Sequence, residues 1–551
     1  DPTVDFKMQS ILPHMHSRNG PGIAIGDVNK DEVDDFYIGG AAGLPGKLFL
    51  QNTRGQFSIS SFTPEADFED MGALFFDADG DQDQDLYVVS GGVSLGNERE
   101  LYQDRLYIND GEGNFTKHMD LPEITSSGST VSATDFDHDG DLDLFVGGRV
   151  NPGSYPTPAK SYLLENVSDP NTGKIKFVDI SSSIDNWDKL TMVTSALWTD
   201  YDNDGWRDLI AVGEFMPITI FHNNRGKLVN VDLAKTGLSN TNGWWNSLAG
   251  GDFDNDGDTD YLIGNLGLNN RYNVSKETPV SIYAKDFDKD GKVDPVMSYY
   301  IGDKEYMVHS RDEIISQINA MRARFKTYES YSEVTFEEAF LPEEIEGSYI
   351  IRSTLFESSI LENLGDGRFS IGALPKNCQM GPIEGIIIDD FDGDGALDAL
   401  LTGNSYTTEV SIGRYDAIKG IVLKGNGDGK FSTLSMEKSG FLNDWDTSGL
   451  SKLTKADGKV YVLAANNDSA LKIFELNQKQ GHFKSLDVSP NIVSAEIILK
   501  DGSSYKREFY HGEGYLSQNS RSILLNNNIE TINLEDSDGN IKKVYDEGSL
   551  Q

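Results

Sequence analysis

The sequence contains one cysteine, few basic residues and no long apolar run. Cys378 is the single cysteine among 551 residues, so the disulfide brace of many secreted domains is missing. No apolar stretch reaches the roughly 18 residues that a membrane-spanning helix needs. The first residues, DPTVDFKMQS, lack the basic start and apolar core of a signal peptide. We therefore expect a chain without a targeting segment, and another brace if it works outside the cytoplasm.

Positively charged residues are also scarce. Lysine and arginine total 47 against 89 aspartates and glutamates, which gives a formal net charge of −42. This charge repels phosphate backbones and anionic lipids, so we expect no nucleic-acid partner. Hydrophobic residues at 38% exclude a disordered chain, and 56 glycines with many Tyr and Phe favour strands joined by tight turns. The predicted fold class is all-β.

A nine-residue acidic motif recurs seven times with the same internal spacing. Asp occupies positions 1, 3, 5 and 9 of every copy except for Asn29. Oxygen ligands at alternate positions of a tight loop suit Ca²⁺, which takes about 6 to 8 oxygens, and position 7 can add a backbone carbonyl. A solvated turn without metal is the alternative, but such a turn tolerates Asn, Ser or Lys where these loops keep Asp. We predict several calcium ions, up to seven.

The predicted ligands occupy positions 1, 3, 5, 7 and 9 of loops that we number 1 to 7 in chain order. They are Asp27, Asn29, Asp31, Val33 and Asp35; Asp77, Asp79, Asp81, Asp83 and Asp85; Asp135, Asp137, Asp139, Asp141 and Asp143; Asp200, Asp202, Asp204, Trp206 and Asp208; Asp252, Asp254, Asp256, Asp258 and Asp260; Asp286, Asp288, Asp290, Lys292 and Asp294; and Asp390, Asp392, Asp394, Ala396 and Asp398. Gly at position 6 permits the turn in five copies. Glu32 and Gln82 replace it in loops 1 and 2, which we expect to be weaker sites.

An EF-hand shares these nine positions, but it needs a bidentate Glu at position 12 and flanking helices. Position 12 is apolar in every copy, as at Ile38 and Leu401, and apolar runs such as LYVVSGG follow. Each loop is therefore predicted to join the strands of a hairpin. One acidic hairpin and one plain hairpin, such as RLYINDGEGNFTKH, make a four-stranded sheet. Recurring four-stranded sheets are typical of β-propeller blades.

We predict a seven-bladed β-propeller over residues 1–480 and a small, separate β module over residues 481–551. The predicted blades begin near Gly22, Gly72, Val131, Thr194, Asn246, Gly385 and Leu453, and the last has no acidic loop. Loop 6 follows loop 5 too closely to start a new blade, so we assign it to an outer strand of the fifth.

A segment at about 311–346 interrupts the strand pattern. Its residues Ile314, Ile318, Met321 and Phe325 share one helical face. It is predicted to be a helical insertion that packs on the propeller, with a lid or docking face as the alternative.

Few residues point to chemistry beyond calcium. No nucleophile with a base and no phosphate-binding Gly loop is recognisable, so no catalytic residue is predicted. The neighbouring Trp244 and Trp245 are ligand-binding candidates, because one side chain of the pair would face outward and could stack on a sugar or a partner. Packing of both in the core is the alternative. His14 and His16 in LPHMHS could bind a transition metal or be packing histidines.

The repeats resemble a known family. GPGIAIGDVNKDEVDDFYIGGA and NGWWNSLAGGDFDNDGDTDYLIGNLGLN resemble the FG-GAP or VCBS repeats of bacterial surface proteins related to cartilage acidic protein and, more distantly, the propeller of integrin α subunits. The tail REFYHGEGYLSQNSRSILL resembles the ASPIC/UnbV module. The resemblance implies a calcium-braced, extracytoplasmic propeller that serves recognition or assembly.

Together these patterns predict a non-enzymatic, calcium-stabilised binding or assembly protein at a bacterial cell surface or outer membrane. Its expected partner is a protein, such as an outer-membrane transporter or barrel, or a glycan. One alternative is a propeller hydrolase or lyase that acts on extracellular polysaccharide, which a pair of carboxylates on the central channel would favour. A structural subunit of an outer-membrane assembly is another.

Overall fold

A computed structural model describes residues 4–93, 99–477 and 484–546. Most of its regular structure is antiparallel β-sheet, and its helices are short. The prediction of a mostly β chain is confirmed. Within the described ranges, every helix is too short or too polar to cross a bilayer.

Seven antiparallel units, numbered I to VII, follow one another along the chain. Units I to III contain the strands Ile23–Gly26, Asp35–Ile38, Lys47–Gln51 and Phe57–Ile59; Asp70–Phe76, Asp85–Ser90, Arg105–Ile108 and Thr116–His118; and Ser127–Thr134, Asp143–Val150, Tyr162–Asn166 and Phe177–Asp179. Units IV and V contain Val193–Thr199, Asp208–Met216, Thr219–Asn223 and Leu228–Asn230; and Gly243–Gly251, Asp260–Asn265, Ser359–Asn363 and Phe369–Ala373. Units VI and VII contain Ile383–Asp389, Asp398–Gly403, Ile421–Gly425 and Phe431–Thr433; and Thr447–Thr454, Val460–Asn466 and Lys472–Glu475.

Burial falls from the first strand of a unit to the last. In unit IV the first two strands are buried along their whole length, whereas the fourth, Leu228–Asn230, is buried at one residue. The inner strands are buried on both faces because neighbouring units cover them, although some, such as Ser127–Thr134, contain several Ser and Thr. The acidic loops join the first two strands of units I to VI, and position 9 opens the second strand, as in the pair Thr134↔Asp143. Because strands and not helices flank the loops, an EF-hand is excluded.

The first strands of the units pack against one another in chain order, and the first strand of unit VII packs against that of unit I. Units IV and V are also joined edge to edge through the pair Glu214↔Trp244. The predicted start of unit VII near Leu453 is wrong, since its first strand begins at Thr447.

The assignment of loop 6 to an outer strand of the fifth blade is also wrong. Loop 6 joins Val280–Lys285 to Asp294–Ile301 in a separate sheet, completed by Lys304–Met307 and Tyr349–Ser353, that is inserted within unit V. The predicted helical segment lies in the same insertion and folds into several short helices. They are Arg311–Gln317, Met321–Arg324, Tyr328–Ser332, Phe336–Ala339 and Pro342–Ile345.

The predicted apolar face of that segment is buried. Ile314, Ile318, Met321 and Phe325 belong to one core cluster with Val296 of the inserted sheet. The segment therefore packs on the insertion. Other short helices are Asp5–Lys7, Arg99–Tyr102, Ser181–Ser183, Trp187–Lys189, Leu233–Thr236, Lys376–Gln379 and Met436–Ser439.

The C-terminal region forms two sheets of its own. Lys484–Asp487 pairs with Ser522–Leu525, and the second sheet is ordered Ser504–Glu508, Ile492–Leu499, Ile529–Asp536, Ile541–Asp546. Its apolar residues share one core cluster with residues of units V and VI, so these sheets pack on the units. The predicted boundary between residues 480 and 481 lies outside the described residues.

Residues 511–520, which we call the crossing segment, run across the first strands of the units. Their backbone and side chains hydrogen-bond to units I, II, III, IV, V and VII. The partners are Ile23, Phe75, Ala133, Ser195, Leu248, Leu450 and Lys452. These bonds tie the C-terminal region to strands that lie up to several hundred residues earlier in the sequence.

Candidate functional site

The seven acidic loops share one hydrogen-bond pattern. In loop 3, the backbone N–H groups of Asp139 and Gly140 donate to the two carboxylate oxygens of Asp135, both at 3.1 Å. The N–H of Asp141 donates to Asp139 Oδ1 at 3.3 Å. The equivalent bonds are present in the other six loops. The carboxylates at positions 1 and 5 therefore accept hydrogen bonds from the loop backbone and hold the turn in place.

The loops also share one backbone conformation. The φ angle is positive at positions 4 and 6 of every loop, between 56° and 79° at position 4 and between 65° and 101° at position 6. Glu32 and Gln82 adopt the same left-handed conformation as the glycines of the other copies. The departures from Gly in loops 1 and 2 therefore change the local strain and not the path of the chain.

Replacement of Gly257 by Ala is expected to lower the free energy of unfolding by about 1 kcal/mol. Gly257 has φ of +93° and nothing within 4 Å of an added Cβ, so the cost comes from the backbone conformation alone. Thermal melting of the variant measures it. The exposed Gly372, whose added Cβ would make only an ordinary 3.6 Å contact with Ile360, is the matched control. Equal effects of the two substitutions would contradict the proposed strain.

Several carboxylate oxygens in the loops are buried without a hydrogen-bond partner in the described residues. At position 3 this is Oδ1 of Asp79, Asp137, Asp254 and Asp288. At position 7 the side chains of Asp83, Asp141 and Asp258 also have such oxygens, so these three can offer a carboxylate in addition to the predicted backbone carbonyl. Buried polar atoms are seldom left unpaired. The arrangement fits a bound cation at the centre of loops 2, 3, 5 and 6.

The carboxylates at position 9 are buried in every loop. Burial raises the pKa of Asp85 and Asp260 to about 8, and the pKa of Asp143 and Asp208 to about 9. Nearby loop carboxylates add to these shifts. The ionised form is costly at these positions unless a positive charge lies close by.

In loops 4 and 7, a basic side chain from the third strand of the unit contacts the loop carboxylates. In loop 7, Lys424 Nζ bonds to Asp392 and lies 2.7 Å from Asp394 Oδ2. In loop 4, Nδ1 of His222 lies 3.0 Å from Asp208 Oδ1 and 3.4 Å from an oxygen of Asp202. Lys424 therefore supplies in loop 7 some of the positive charge that other loops lack.

A set of asparagines couples the loops to the next unit, and the sequence reasoning missed it. Asn109, Asn166 and Asn223 end the third strand of a unit or follow it directly, and each donates Nδ2–H to the position-2 carbonyl of the preceding unit's loop, at 2.7 to 3.1 Å. Asn363 does the same to the carbonyl of Tyr201. The recurring Asn in YIND, LLEN, IFHN and ILEN was a signal that could have revealed this contact.

The two tryptophans have different surroundings. Trp245 is 0% exposed in the core, and its Nε1–H donates to the carbonyl of Thr241. Trp244 is 7% exposed, packs against Phe215, and lines a cavity. The two side chains lie in different core clusters, so they point in opposite directions as predicted. Neither faces outward, and both are buried, as the alternative of core packing requires.

This cavity, which we call the axial cavity, lies between residues of units III to VII and the N-terminal segment 13–19. Tyr515 of the crossing segment also lines it. Its charged residues include Arg149, Glu214, Glu384 and Asp446. The crossing segment therefore contacts both this cavity and the first strands of the units, which lead into the acidic loops.

The carboxyls of the axial cavity differ in protonation. Burial, aided by Asp446, raises the pKa of Glu384 well above its usual range, and burial raises the pKa of Asp446 to about 6. Burial also opposes ionisation of Glu214, but Arg149 and His14 outweigh it and lower the pKa of that carboxyl. Arg149 Nη2 donates to Glu214 Oε1 at 2.5 Å. These shifts favour the ionised form of Glu214 and the protonated form of Glu384.

Comparison with solved structures found distant likenesses. The biofilm matrix protein Bap1 of V. cholerae is 12% identical, with 96% of this chain and 94% of that chain covered and a TM-score of 0.30. The rhamnogalacturonan lyase PL11 of Bacillus licheniformis is 12% identical, with 84% and 71% covered and a TM-score of 0.38. Sqt1 of Saccharomyces cerevisiae is 11% identical, with 97% and 98% covered and a TM-score of 0.32. Likenesses at this level do not define a shared activity.

A family model matches at two places. The first match, residues 91–146, includes loop 3, and the second, residues 200–263, includes loops 4 and 5. No curated protein matches the chain. The proposed relation to cartilage acidic protein stays a prediction, and so does the ASPIC/UnbV-like module at the C-terminus. The chain contains FG-GAP-like repeats over residues 91–146 and 200–263.

Proposed function

We propose that this chain is a calcium-braced, seven-bladed β-propeller that works as a binding or assembly protein at a bacterial cell surface. The observation that carries the proposal is the set of buried, unpartnered carboxylate oxygens at one position of four equivalent loops. Oxygen donors in this number and hardness suit Ca²⁺ and not the softer transition metals. When bound, calcium would offset the repulsion between the loop carboxylates and stabilise the hairpins.

Two observations support the propeller. The first strands of units I to VII contact one another in an order that returns to unit I. The asparagine contacts connect the loop of one unit to the third strand of the next, as neighbouring blades require. Closure of such a ring protects the edges of the sheets, which explains how a chain with one cysteine stays compact.

An extracytoplasmic location is consistent with the loops. Sites of extracellular modules have Kd values of about 10⁻⁴ to 10⁻³ M, so they fill only where calcium is plentiful. The FG-GAP-like repeats are compatible with such a place. A protein partner, such as a transporter or barrel of the outer membrane, or a glycan is the proposed ligand, and the axial cavity beside Trp244 is its proposed site.

Metal analysis after dialysis against calcium, followed by binding to a glycan array and to isolated outer-membrane proteins, tests the proposal. We expect about six calcium ions per chain and calcium-dependent binding without turnover. Absence of bound calcium would refute the calcium brace. Binding that survives both chelation and replacement of Trp244 by Ala would refute the proposed ligand site.

Replacement of Lys424 by Met is expected to raise the calcium content by one ion per chain. The Lys424 ammonium contacts two carboxylates of loop 7, and its removal frees them for a cation. Calcium per chain is measured by mass spectrometry of the metal after equilibrium dialysis. Lys430, which bonds to Asp428 outside the loops, provides the control Lys430→Met with unchanged calcium. A calcium content that rises equally in both variants would contradict the role of Lys424.

A second candidate function is cleavage of an extracellular polysaccharide. Glu214, Glu384 and Asp446 converge on the axial cavity outside the loops, and their pKa values are shifted in different directions. A protonated and an ionised carboxyl in one cavity are the minimum for acid–base cleavage of a glycan. Turnover of a glycan panel that is lost in Glu384→Gln but kept in Glu475→Gln, an exposed control, would favour the enzyme.

A further inference from the structure

Two side chains that line the axial cavity, and a third beside them, form a group that the calcium proposal does not use. His14, His16 and Glu214 each offer one ligand atom, and these atoms lie within 4.8 Å of one another. The two imidazole centroids are 4.4 Å apart, and His14 Nε2 lies 2.8 Å from Glu214 Oε1. Two imidazoles with one carboxylate are a donor set for divalent transition metals, in contrast to the oxygen-only loops.

Atoms of this group are buried without a partner. His16 is 2% exposed, and neither of its ring nitrogens has a hydrogen-bond partner within the described ranges. The Oε2 atom of Glu214, whose residue is 1% exposed, also has none there. Leaving such polar atoms unpaired is costly, so their convergence indicates an occupant.

The surroundings of His14 leave one ring nitrogen for a cation when the imidazole is neutral. Its Nδ1 lies 3.3 Å from the carbonyl oxygen of Met15, while its Nε2 faces the Glu214 carboxylate. A neutral imidazole has a single N–H, so it cannot donate to both oxygens. An Nδ1–H directed at the Met15 carbonyl leaves the Nε2 lone pair for a metal, as is common for histidine ligands.

The backbone that carries the histidines is held on both sides. The buried carboxylate of Asp5 accepts the N–H of His16 at 2.6 Å and that of Ser17 at 3.0 Å. On the other side, Met15 donates its N–H to the carbonyl of Thr407 at 2.9 Å. Arg149 fixes the Glu214 carboxylate through Oε1. The ligands are thus positioned by groups outside the cluster, as in a preorganised site.

We propose that His14, His16 and Glu214 bind one divalent transition-metal ion, of the Zn²⁺ and Co²⁺ class, with an open coordination position toward the axial cavity. His14 and Glu214 both line that cavity, so the open position can take water or an oxygen atom of a ligand. The Arg149 guanidinium opposes the ion, but the Glu214 carboxylate carries a negative charge at the site itself, and Asp446 lines the same cavity. With bonds of about 2.1 Å, ligand atoms lie roughly 3.4 Å apart, so small side-chain movements complete the site. This site is independent of the calcium proposal.

Titration with Co²⁺ tests the site in the full chain. Millimolar calcium is kept present to fill the acidic loops, and Co²⁺ binding is followed by calorimetry and by its visible d–d absorption. We expect one ion per chain with the absorption of a low-symmetry site that contains nitrogen ligands. His14→Ala and His16→Ala should each weaken binding by at least roughly tenfold. The control is His118→Ala, since His118 lies outside the cluster, and it should bind as the unaltered chain does.

Absence of a saturable cobalt site, or equal affinity in His16→Ala and the unaltered chain, would overturn the proposal. If a histidine variant does not fold, crystals of the unaltered chain soaked in Zn²⁺ with calcium give the answer. An anomalous difference peak at the zinc edge between His14, His16 and Glu214 supports the site, and no peak there refutes it.

Discussion

Chelation of calcium is expected to destabilise the chain by roughly 4 to 11 kcal/mol. At 2 mM free calcium and a Kd of about 10⁻³ to 10⁻⁴ M, one site contributes roughly 0.7 to 1.8 kcal/mol, and loops 1 to 6 act together. Because the unfolding entropy scales with chain length, this corresponds to a fall in the melting temperature of about 4 to 10 °C if the chain unfolds as one unit. Scanning calorimetry in 2 mM calcium and in excess chelator measures the fall.

Magnesium is the matched control for this experiment. It requires a smaller, stricter octahedron and gives up its water reluctantly, so it should restore little of the lost stability. In the variant Asp256→Ala, calcium should stabilise less, because one of the loops loses a central carboxylate. Identical melting curves with calcium and with chelator would refute the metal brace in every loop at once.

The pH dependence of the stability of the calcium-free chain provides a second test of the calcium sites. The carboxyls at position 9 have pKa values raised by burial, to about 8 for Asp85 and Asp260 and to about 9 for Asp143 and Asp208. Between their ordinary pKa near 4 and these raised values, the folded state binds more protons than the unfolded state. Stability in chelator should therefore rise as the pH falls from 8 to 6. With calcium bound the carboxylates are neutralised, and this rise should be smaller.

Local patterns in the sequence predicted the acidic loops well. Alternating Asp with a Gly at position 6 specifies a turn whose hydrogen bonds all lie within nine residues, as the bonds to Asp135 show. The apolar runs on either side specified the buried strands. Glu32 and Gln82 show the limit of this reasoning: the loop imposes a positive φ even where the residue does not favour it.

Features that depend on distant residues could not be read from the sequence. The axial cavity combines Glu214, Trp244 and Glu384 with His14 near the start of the chain and Tyr515 near its end. No spacing in the sequence connects these positions. The crossing segment was missed for the same reason, because its backbone and side chains bind strands from Ile23 to Lys452 that are far from it in the sequence. The loop-6 sheet was missed because its strands have the same period as a blade.

Replacement of Asp389 by Ala is expected to cost about 3 to 5 kcal/mol. Asp389 ends the first strand of unit VI, and its carboxylate accepts from Lys452 Nζ of unit VII at 2.6 Å and from Arg507 Nη1 of the C-terminal region at 2.5 Å. Burial opposes its ionisation, but Arg507 and Lys452 outweigh it and lower the pKa of its carboxyl. Removal of the carboxylate leaves two buried cations without their anion at the junction of three parts of the fold. Chemical denaturation in saturating calcium measures the loss.

The expected loss of stability in Asp389→Ala is large because Asp389 is buried, and not because it forms an ion pair. Asp428 and Lys430 form a pair of similar length, 2.8 Å, on the exposed surface, so Asp428→Ala should leave the denaturation curve unchanged. Replacement of Asp389, Lys452 and Arg507 together by Met should recover most of the stability lost in Asp389→Ala, since no unpaired charge remains. If the triple variant is less stable than Asp389→Ala, the three charges hold the junction by their mutual attraction, and the explanation by uncompensated burial is wrong.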